Sequence, residues 1–424
     1  MSGPIPRHLL PDTAAIDADG RMSVGGVDLT ELAQEFGTPL FVYDEEHLRS
    51  RCREAVEVFG TGVAYATKAF LCVAMAKLAH EEGMYLDVAT LGELHVARVA
   101  GIPATDLVFH GNNKSSAELL TAMEAGVGRI VVDSFDELER IEAIHVETGL
   151  VARALLRITP GVEAHTHEFI ATGQNDSKFG FTVSTGLAEH AIEKASASPA
   201  IELLGIHAHI GSQVFRIDSM RQSAAVLAEI SQRFALPELS VGGGLGVAYV
   251  AGEEAPTISQ WGRSVLDATG EAGIAAHVLA EPGRSIVATA GMTVYEVGTI
   301  KGLEGIRTYV AVDGGMSDNP RPVLYGSGYE AFVPDRANAE RPTEVRLVGK
   351  HCESGDIIIR EADVPADLAV GDLLVTPVTG AYGHSLASNY NKVTRPAVVF
   401  VRNGTARLVV RRETLDDLTR LDSV

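Results

Sequence analysis

Short β-branched or apolar runs recur through the first two thirds of the chain, each ending in polar residues or glycine. Val63–Lys68, Tyr85–Thr90, Leu107–Asn112 and Arg129–Ser134 begin at 63, 85, 107 and 129, a constant step of 22. Between them lie alanine- and leucine-rich stretches such as Leu71–Glu82 and Glu118–Ala125, whose apolar residues fall at helical spacing. Arg153–Ile158, Gly205–Gly211, Leu239–Gly244 and His277–Gly283 continue the series. Strand and helix in alternation predict a parallel sheet. Eight such units suggest a closed (β/α)8 TIM-type barrel, with an open doubly wound sheet as the alternative. The interval between the fifth and sixth strands is longer and contains Glu163–Thr182, which reads as an extended functional loop.

After about residue 290 the rhythm changes. Thr293–Ile300, Arg307–Asp313, Glu344–Gly349, Asp356–Arg360, Leu373–Pro377 and Pro396–Arg402 alternate or run apolar, with Gly, Pro and Asp between them. Long helical intervals are missing, so this part reads as all-β, a β-sandwich or β-barrel-like domain. Ala15–Leu29 reads as a hairpin that could join its sheet. The expected organisation is therefore a discontinuous β domain, residues 1–43 and 291–424, enclosing a barrel over 44–290.

Composition narrows the ligands. The chain has 56 acidic against 35 basic residues, a formal charge of −21. Phosphate backbones are bound by clustered Lys and Arg, so no nucleic-acid partner is expected. Three cysteines cannot build a disulfide framework in 424 residues and suit a reducing compartment. The first fifteen residues lack the apolar core of a signal peptide, and no run nears the roughly 18 apolar residues of a membrane helix. The expectation is a cytoplasmic protein with no membrane partner.

Barrel enzymes gather their reactive groups at the C-terminal ends of the strands. Here those ends carry Lys68, Asp87, His110, His209, Gly242–Gly244 and Glu281. Lys68 is either a lysine snorkelling from a strand end or a desolvated amine able to form a Schiff base. The run Val241–Gly246 offers backbone N–H groups to a phosphate, or makes a tight turn; it fits neither GxGxxG nor a P-loop. Glu281 is costly inside a barrel unless it meets a cation, either a structural Arg or the protonated pyridine nitrogen that pyridoxal 5'-phosphate (PLP) requires. His207 and His209, two apart on one strand, would share a face, and His165 and His167 repeat the spacing. A third ligand at a recognisable interval is missing, so no metal site is expected. His209 suits packing on a flat ring, with Ser212 offering a hydroxyl to a phosphate. Cys352, flanked by His351 and Glu353, is either an inert thiol or a loop acid–base group.

The motifs themselves carry more. Tyr65-Ala-Thr-Lys68-Ala-Phe70, His110-Gly-Asn-Asn-Lys114, Ser177-Lys-Phe-Gly180 and His209-Ile-Gly-Ser-Gln213 are followed by GGGLG at 242–246 and EPGR at 281–284. VDGGMSDNPRPVLYG at 312–326, CESGD at 352–356, GAYG at 380–383 and SNYN at 388–391 complete the set. Together, from about Phe36 to Leu421, they resemble the diaminopimelate decarboxylase family of PLP-dependent, alanine-racemase-type (fold III) enzymes.

That resemblance implies a PLP barrel plus a β domain, working as a homodimer with shared active sites on meso-diaminopimelate, which yields L-lysine and CO2. It implies that Lys68 holds the cofactor, His209 stacks on its ring and Glu281 pairs with the ring nitrogen. Ser212, Gly244, the backbone of Gly283 and Arg284, and the Tyr382 hydroxyl would hold the phosphate, with Pro282 in the same cofactor-binding turn. Arg284, Arg321, Tyr325 and Tyr382 would meet the substrate, the arginines and Tyr325 at its distal carboxylate. Glu353 of the partner subunit would take the distal ammonium, and Cys352 of the partner subunit would be the acid. Some relatives carry Cys where this chain has Gly383, which reads as a packing variation. Two alternatives stand beside this: a decarboxylase of ornithine, arginine or lysine, and a PLP-binding protein without turnover. The first typically has Cys-Asp in place of Cys352-Glu353, and the second lacks a β domain.

Overall fold

The computed structural model describes residues 3–162 and 176–423. They divide into two compact units: one of residues 51–246 and 255–285, the other of residues 1–50, 247–254 and 286–424.

The first unit holds the barrel. Its eight parallel strands are Ala64–Ala66, Tyr85–Val88, Leu107–Phe109, Arg129–Val132, Ala152–Thr159, Ile201–His207, Glu238–Ser240 and His277–Leu279, paired in sequence order. Two backbone bonds close the ring. The Ala64 N–H donates to the Ala280 carbonyl at 2.9 Å, and the Ala66 N–H to the Pro282 carbonyl at 3.1 Å. The closing seam therefore lays Glu281 beside the end of the first strand, two residues before Lys68.

Three of the helices follow their strands after short turns with a capping side chain at the start. Thr90, Ser115 and Ser134 accept from the backbone of Glu93, Glu118 and Glu137, and Ser115 with Glu118 forms a reciprocal capping box. Each such cap contributes about 1 kcal/mol. The barrel interior is packed solid by Ala64, Val108, Val131, Leu155 and Leu204. Each large apolar side chain so buried is worth about 1.5–3 kcal/mol, which makes the strand ends a rigid platform.

The second unit is built on a sheet in the order 357–364, 343–348, 307–312, 291–303, 40–44, 397–402 and 405–410, with 373–377 also paired to 291–303. The long strand Gly291–Leu303 joins the two parts of this sheet. Its first half pairs with Leu40–Asp44 and Leu373–Pro377, its second half with Arg307–Val312.

Several strand expectations need correction. The first barrel strand stops at Ala66 and Lys68 lies in a 3-10 turn, Thr67–Ala69. The Ala15–Leu29 segment does not join the large sheet but makes a three-stranded sheet of its own. Its strands Ala15–Ile16, Met22–Val24 and Val27–Asp28 pair with one another, and Asp28, whose side chain accepts from the Thr30 and Glu31 N–H groups, starts the helix Leu29–Phe36 directly after the last of them. Leu40–Asp44 takes the place in the sheet instead, and Thr405–Val410 forms an edge strand the pattern did not suggest. Most of the long loop, including His165 and His167, lies outside the described residues; its end, Phe181–Thr182, pairs with the fifth strand.

Candidate active site

At the barrel mouth one carboxylate is held from three sides. Glu281 is buried, and His207 Nε2 donates to its Oε2 at 2.9 Å while Ser240 Oγ donates to its Oε1 at 3.1 Å. His110 Nε2 stands 3.3 Å from Oε1 and 3.6 Å from Asp87 Oδ1. Burial alone pushes the Glu281 carboxyl upward. The electrostatic pull of its neighbours His207 and His110, together with hydrogen bonding, overcomes this and leaves it well below the ordinary carboxylate value. Burial lowers His207, whereas Asp87 and Glu281 outweigh burial at His110 and raise it, so the cluster's proton sits most readily on His110. The donor atoms of His110, His207 and Glu281 lie within 4.8 Å of one another, close enough to hold an ion. Their mutual pairing accounts for that closeness.

His209 does something else. Burial, then the charges of Lys68 and Arg157, hold its imidazole well below its usual value. It is neutral, and its Nδ1 accepts the Gly243 N–H at 3.2 Å. Its ring is thus fixed as a flat, uncharged surface. Lys68 is exposed and close enough to Glu93, His110 and His209 to act on the charge of all three.

The glycine run fits a phosphate. Gly244 has φ +110°, and a side chain there would lie 2.2 Å from the Gly211 carbonyl oxygen. Only glycine can turn the backbone this way and approach so closely. The N–H groups of Gly244 and Gly283 have no acceptor among the described residues, whereas those of Gly242 and Gly243 are spent on Ser240 and His209. Arg284 Nη2 donates to Ser212 Oγ at 2.9 Å. Two free amides, a guanidinium and a hydroxyl suit a dianionic phosphate, and an ionised buried carboxylate suits a protonated ring nitrogen. The residues fit PLP.

In the second unit Arg321 opens the short helix Arg321–Tyr325, so Tyr325, four residues on, falls on the same face. Arg321 is 4% exposed, stacks on the Tyr249 ring with its Cζ 4.0 Å from the centroid, and donates to the Tyr329 hydroxyl. Its Nε has no partner, and no carboxylate among the described residues pairs with it. A buried guanidinium held by aromatic rings and a phenol hydroxyl is suited to meeting an anion.

Cys352 and Glu353 stand exposed on a tightly anchored loop. Asp356 accepts from the backbone of Met316 at 2.6 Å and His351 at 2.8 Å. His351 meets Ser317 Oγ at 2.8 Å, and the Cys352 N–H donates to Asn391 Oδ1 at 3.3 Å. The motifs at 312–326, 351–356 and 388–391 are therefore one hydrogen-bonded knot. Tyr382 is held at φ +59° beside Gly383, where a Cβ would lie 2.8 Å from the Thr379 carbonyl oxygen. A larger residue at 383 would require this loop to shift.

Residues 45–288 match the family model for the pyridoxal binding domain of pyridoxal-dependent decarboxylases. The diaminopimelate decarboxylase of Mycobacterium tuberculosis (strain ATCC 25618 / H37Rv) is 47% identical over 98% of this chain and 98% of its own length. That of Bacillus subtilis (strain 168) is 45% identical over 97% and 98%. The chain belongs to the diaminopimelate decarboxylase family. A diaminopimelate decarboxylase of M. jannaschii, solved in co-complex with L-lysine, superposes with a TM-score of 0.90 at 33% identity, covering 97% of this chain and 98% of that one. The family's enzymes depend on PLP, and so does this chain.

Some placements differ from those the pattern suggested. His207 and His209 do not act as a pair on one strand. The strand ends at His207, whose partner is Glu281, while His209 lies beyond it against Gly243. Lys114 of the His110–Lys114 run turns inward, 2.7 Å from Glu137 Oε1, and braces the barrel. Ser240, Tyr249, Tyr329 and Asn391 support the sites without having been singled out. Ser240 ends the seventh strand, and a scan of all strand ends finds it. Tyr249 and Tyr329 are fixed by long-range packing and have no local signal, whereas Asn391 closes the SNYN run at 388–391.

Proposed function

We propose that this chain releases CO2 from meso-diaminopimelate to give L-lysine, in a homodimer whose subunits share their active sites. When bound, PLP supplies the electron sink for the pair left at the α-carbon as CO2 departs. Lys68 would hold the cofactor through its amine. Glu281 keeps a proton on the ring nitrogen, because an ionised, buried carboxylate stabilises the cation it faces. His209 gives the ring a neutral surface. Ser212, Arg284, the N–H groups of Gly244 and Gly283, and the Tyr382 hydroxyl would take the phosphate, with Pro282 holding that turn.

Arg321 and Tyr325 would receive the carboxylate at the substrate's distal end, with Arg284 and Tyr382 contributing to substrate contact. The exposed position of the 352–353 loop supports donation across the dimer. Glu353 of the partner subunit would bind the distal ammonium, and Cys352 of the partner subunit would deliver a proton to the α-carbon. The observation that carries the specificity is the buried Arg321 guanidinium with no carboxylate partner among the described residues. A diamine product or a simple diamino acid has no distal carboxylate to offer it. CO2 release should be fast with meso-diaminopimelate and at least about a hundredfold slower with ornithine or lysine, by the selectivity a site built for one polar group achieves. Equal turnover of ornithine would refute the assignment.

A further inference from the structure

We propose that His207, with His110 and Asp87 behind it, is a positioning residue for Glu281, fixing the direction and charge of that carboxylate without reaching the substrate. The inference rests on the reading that Glu281 faces the ring nitrogen of PLP, and assigns the residues that make that pairing work.

His207 ends the sixth barrel strand and is fully buried. Its Nε2 makes the 2.9 Å bond to Glu281 Oε2, while its Nδ1 is buried and has no partner among the described residues. That asymmetry fixes the tautomer. A proton on Nε2 is used by Glu281, whereas a second proton, on Nδ1, would bury an N–H with no acceptor. His207 is therefore a neutral, single-donor imidazole. A single donor from a strand end gives the carboxylate one preferred direction, and Ser240 Oγ fixes its other oxygen.

The charge is handled by the second imidazole. His110 lies between two carboxylates, Asp87 and Glu281, with its ring 4.9 Å from that of His207 at an angle of 66°. Arg157 and Lys68 also act on this group of charges. His110 brings one nitrogen, Nε2, within ion-pair distance of both Asp87 and Glu281 without a hydrogen bond to either, and the charge it carries when protonated favours an ionised Glu281. His207 fixes geometry and His110 fixes charge. Neither role would be filled by a purely apolar residue of the same size.

The test uses full-length holoenzyme reconstituted with PLP carrying ¹⁵N at the ring nitrogen. The ring ¹⁵N signal is followed from pH 6 to 9, and PLP affinity is measured by titrating apoenzyme. Wild type should keep a protonated ring nitrogen throughout. His207→Phe should weaken PLP binding about tenfold and lower the pH at which the ring proton is lost. His207→Gln, which retains an N–H at similar reach, should restore both. His207→Asn is too short to span the gap and should behave like Phe, which keeps the test open if the Phe variant fails to fold. Asn and Gln variants that both match wild type would overturn the inference. Glu281→Gln is measured alongside. If it alters the ring signal and the His207 variants do not, only the positioning role fails. If it leaves the ring signal unchanged, the pairing of Glu281 with the ring fails, and this inference with it.

Discussion

The Glu281 cluster of the barrel unit and the Arg321 site of the β unit treat buried charge in different ways. In the barrel, charges are balanced among themselves: Asp87, His110, His207 and Glu281 form one set, and Lys114, Glu137, Asp133 and Arg157 another. In the β unit, Arg321 is buried against tyrosines with no carboxylate among the described residues, and Cys352 and Glu353 are left exposed. A balanced, rigid set suits a resident cofactor, which needs a fixed environment. An unfilled cation suits a ligand that arrives and leaves, since its desolvation is offset only when the anion is present. Under the proposed function, the difference separates holding the cofactor from choosing the substrate.

The largest effect should come from breaking the barrel side at its proposed covalent contact, Lys68. Lys68→Ala should lower kcat by at least about a thousandfold, as loss of a nucleophile does. Borohydride reduction of wild type, followed by peptide mapping, should find the cofactor attached at Lys68. An adduct at another lysine would contradict the assignment.

The other side is broken at the thiol. Cys352→Ala should lower kcat by about 10²–10⁴-fold, the range for a positioned acid, while PLP binding stays as in wild type. Mixing Lys68→Ala and Cys352→Ala subunits at equal ratio should restore about a quarter of the wild-type sites, since half the dimers are hybrids with one intact site each. No recovery despite demonstrated subunit exchange would place both groups in the same chain's site.

Much of the barrel was legible in the sequence because parallel strands buried on both faces leave short apolar runs at regular intervals. Three of the first four observed starts, 85, 107 and 129, coincide with the expected ones. The strand ends were overextended because Lys68, His209 and Glu281 sit in turns that continue the apolar run without its pairing. At the β unit the motifs were visible but not their relation. Asp356 joins residues 316 and 351, and Asn391 joins 352, through contacts that no local period encodes. Arg321 was singled out, but its platform, Tyr249, comes from a segment between barrel strands that belongs to the β unit. Sequence spacing carries no record of such an excursion.

A smaller effect should separate structural charge in the β unit from functional charge. Asp318 is fully buried, accepts from the Tyr295 hydroxyl at 2.6 Å and from the Gly315 N–H, and burial raises its carboxyl to about 7. An acid whose pKa is raised by folding binds its proton more tightly in the native state. It therefore costs stability as pH rises from its unfolded value of 3.8 through about 7, and costs nothing below. Asp318→Asn removes that titration. Its Tm should gain on wild type by about 2–4 °C between pH 5 and pH 8 for each kcal/mol relieved. A constant difference across that range would show that Asp318 does not titrate in the native protein.

The most direct test of the division between the units is Arg321→Lys, measured for cofactor affinity and for catalysis in the same preparation. Lysine keeps the charge but cannot form the bidentate contact to a carboxylate. PLP should bind as in wild type, kcat/KM for meso-diaminopimelate should fall by at least about a hundredfold, and the preference for it over lysine should shrink. Unchanged kcat/KM with unchanged selectivity would put Arg321 outside the substrate's reach and contradict the account.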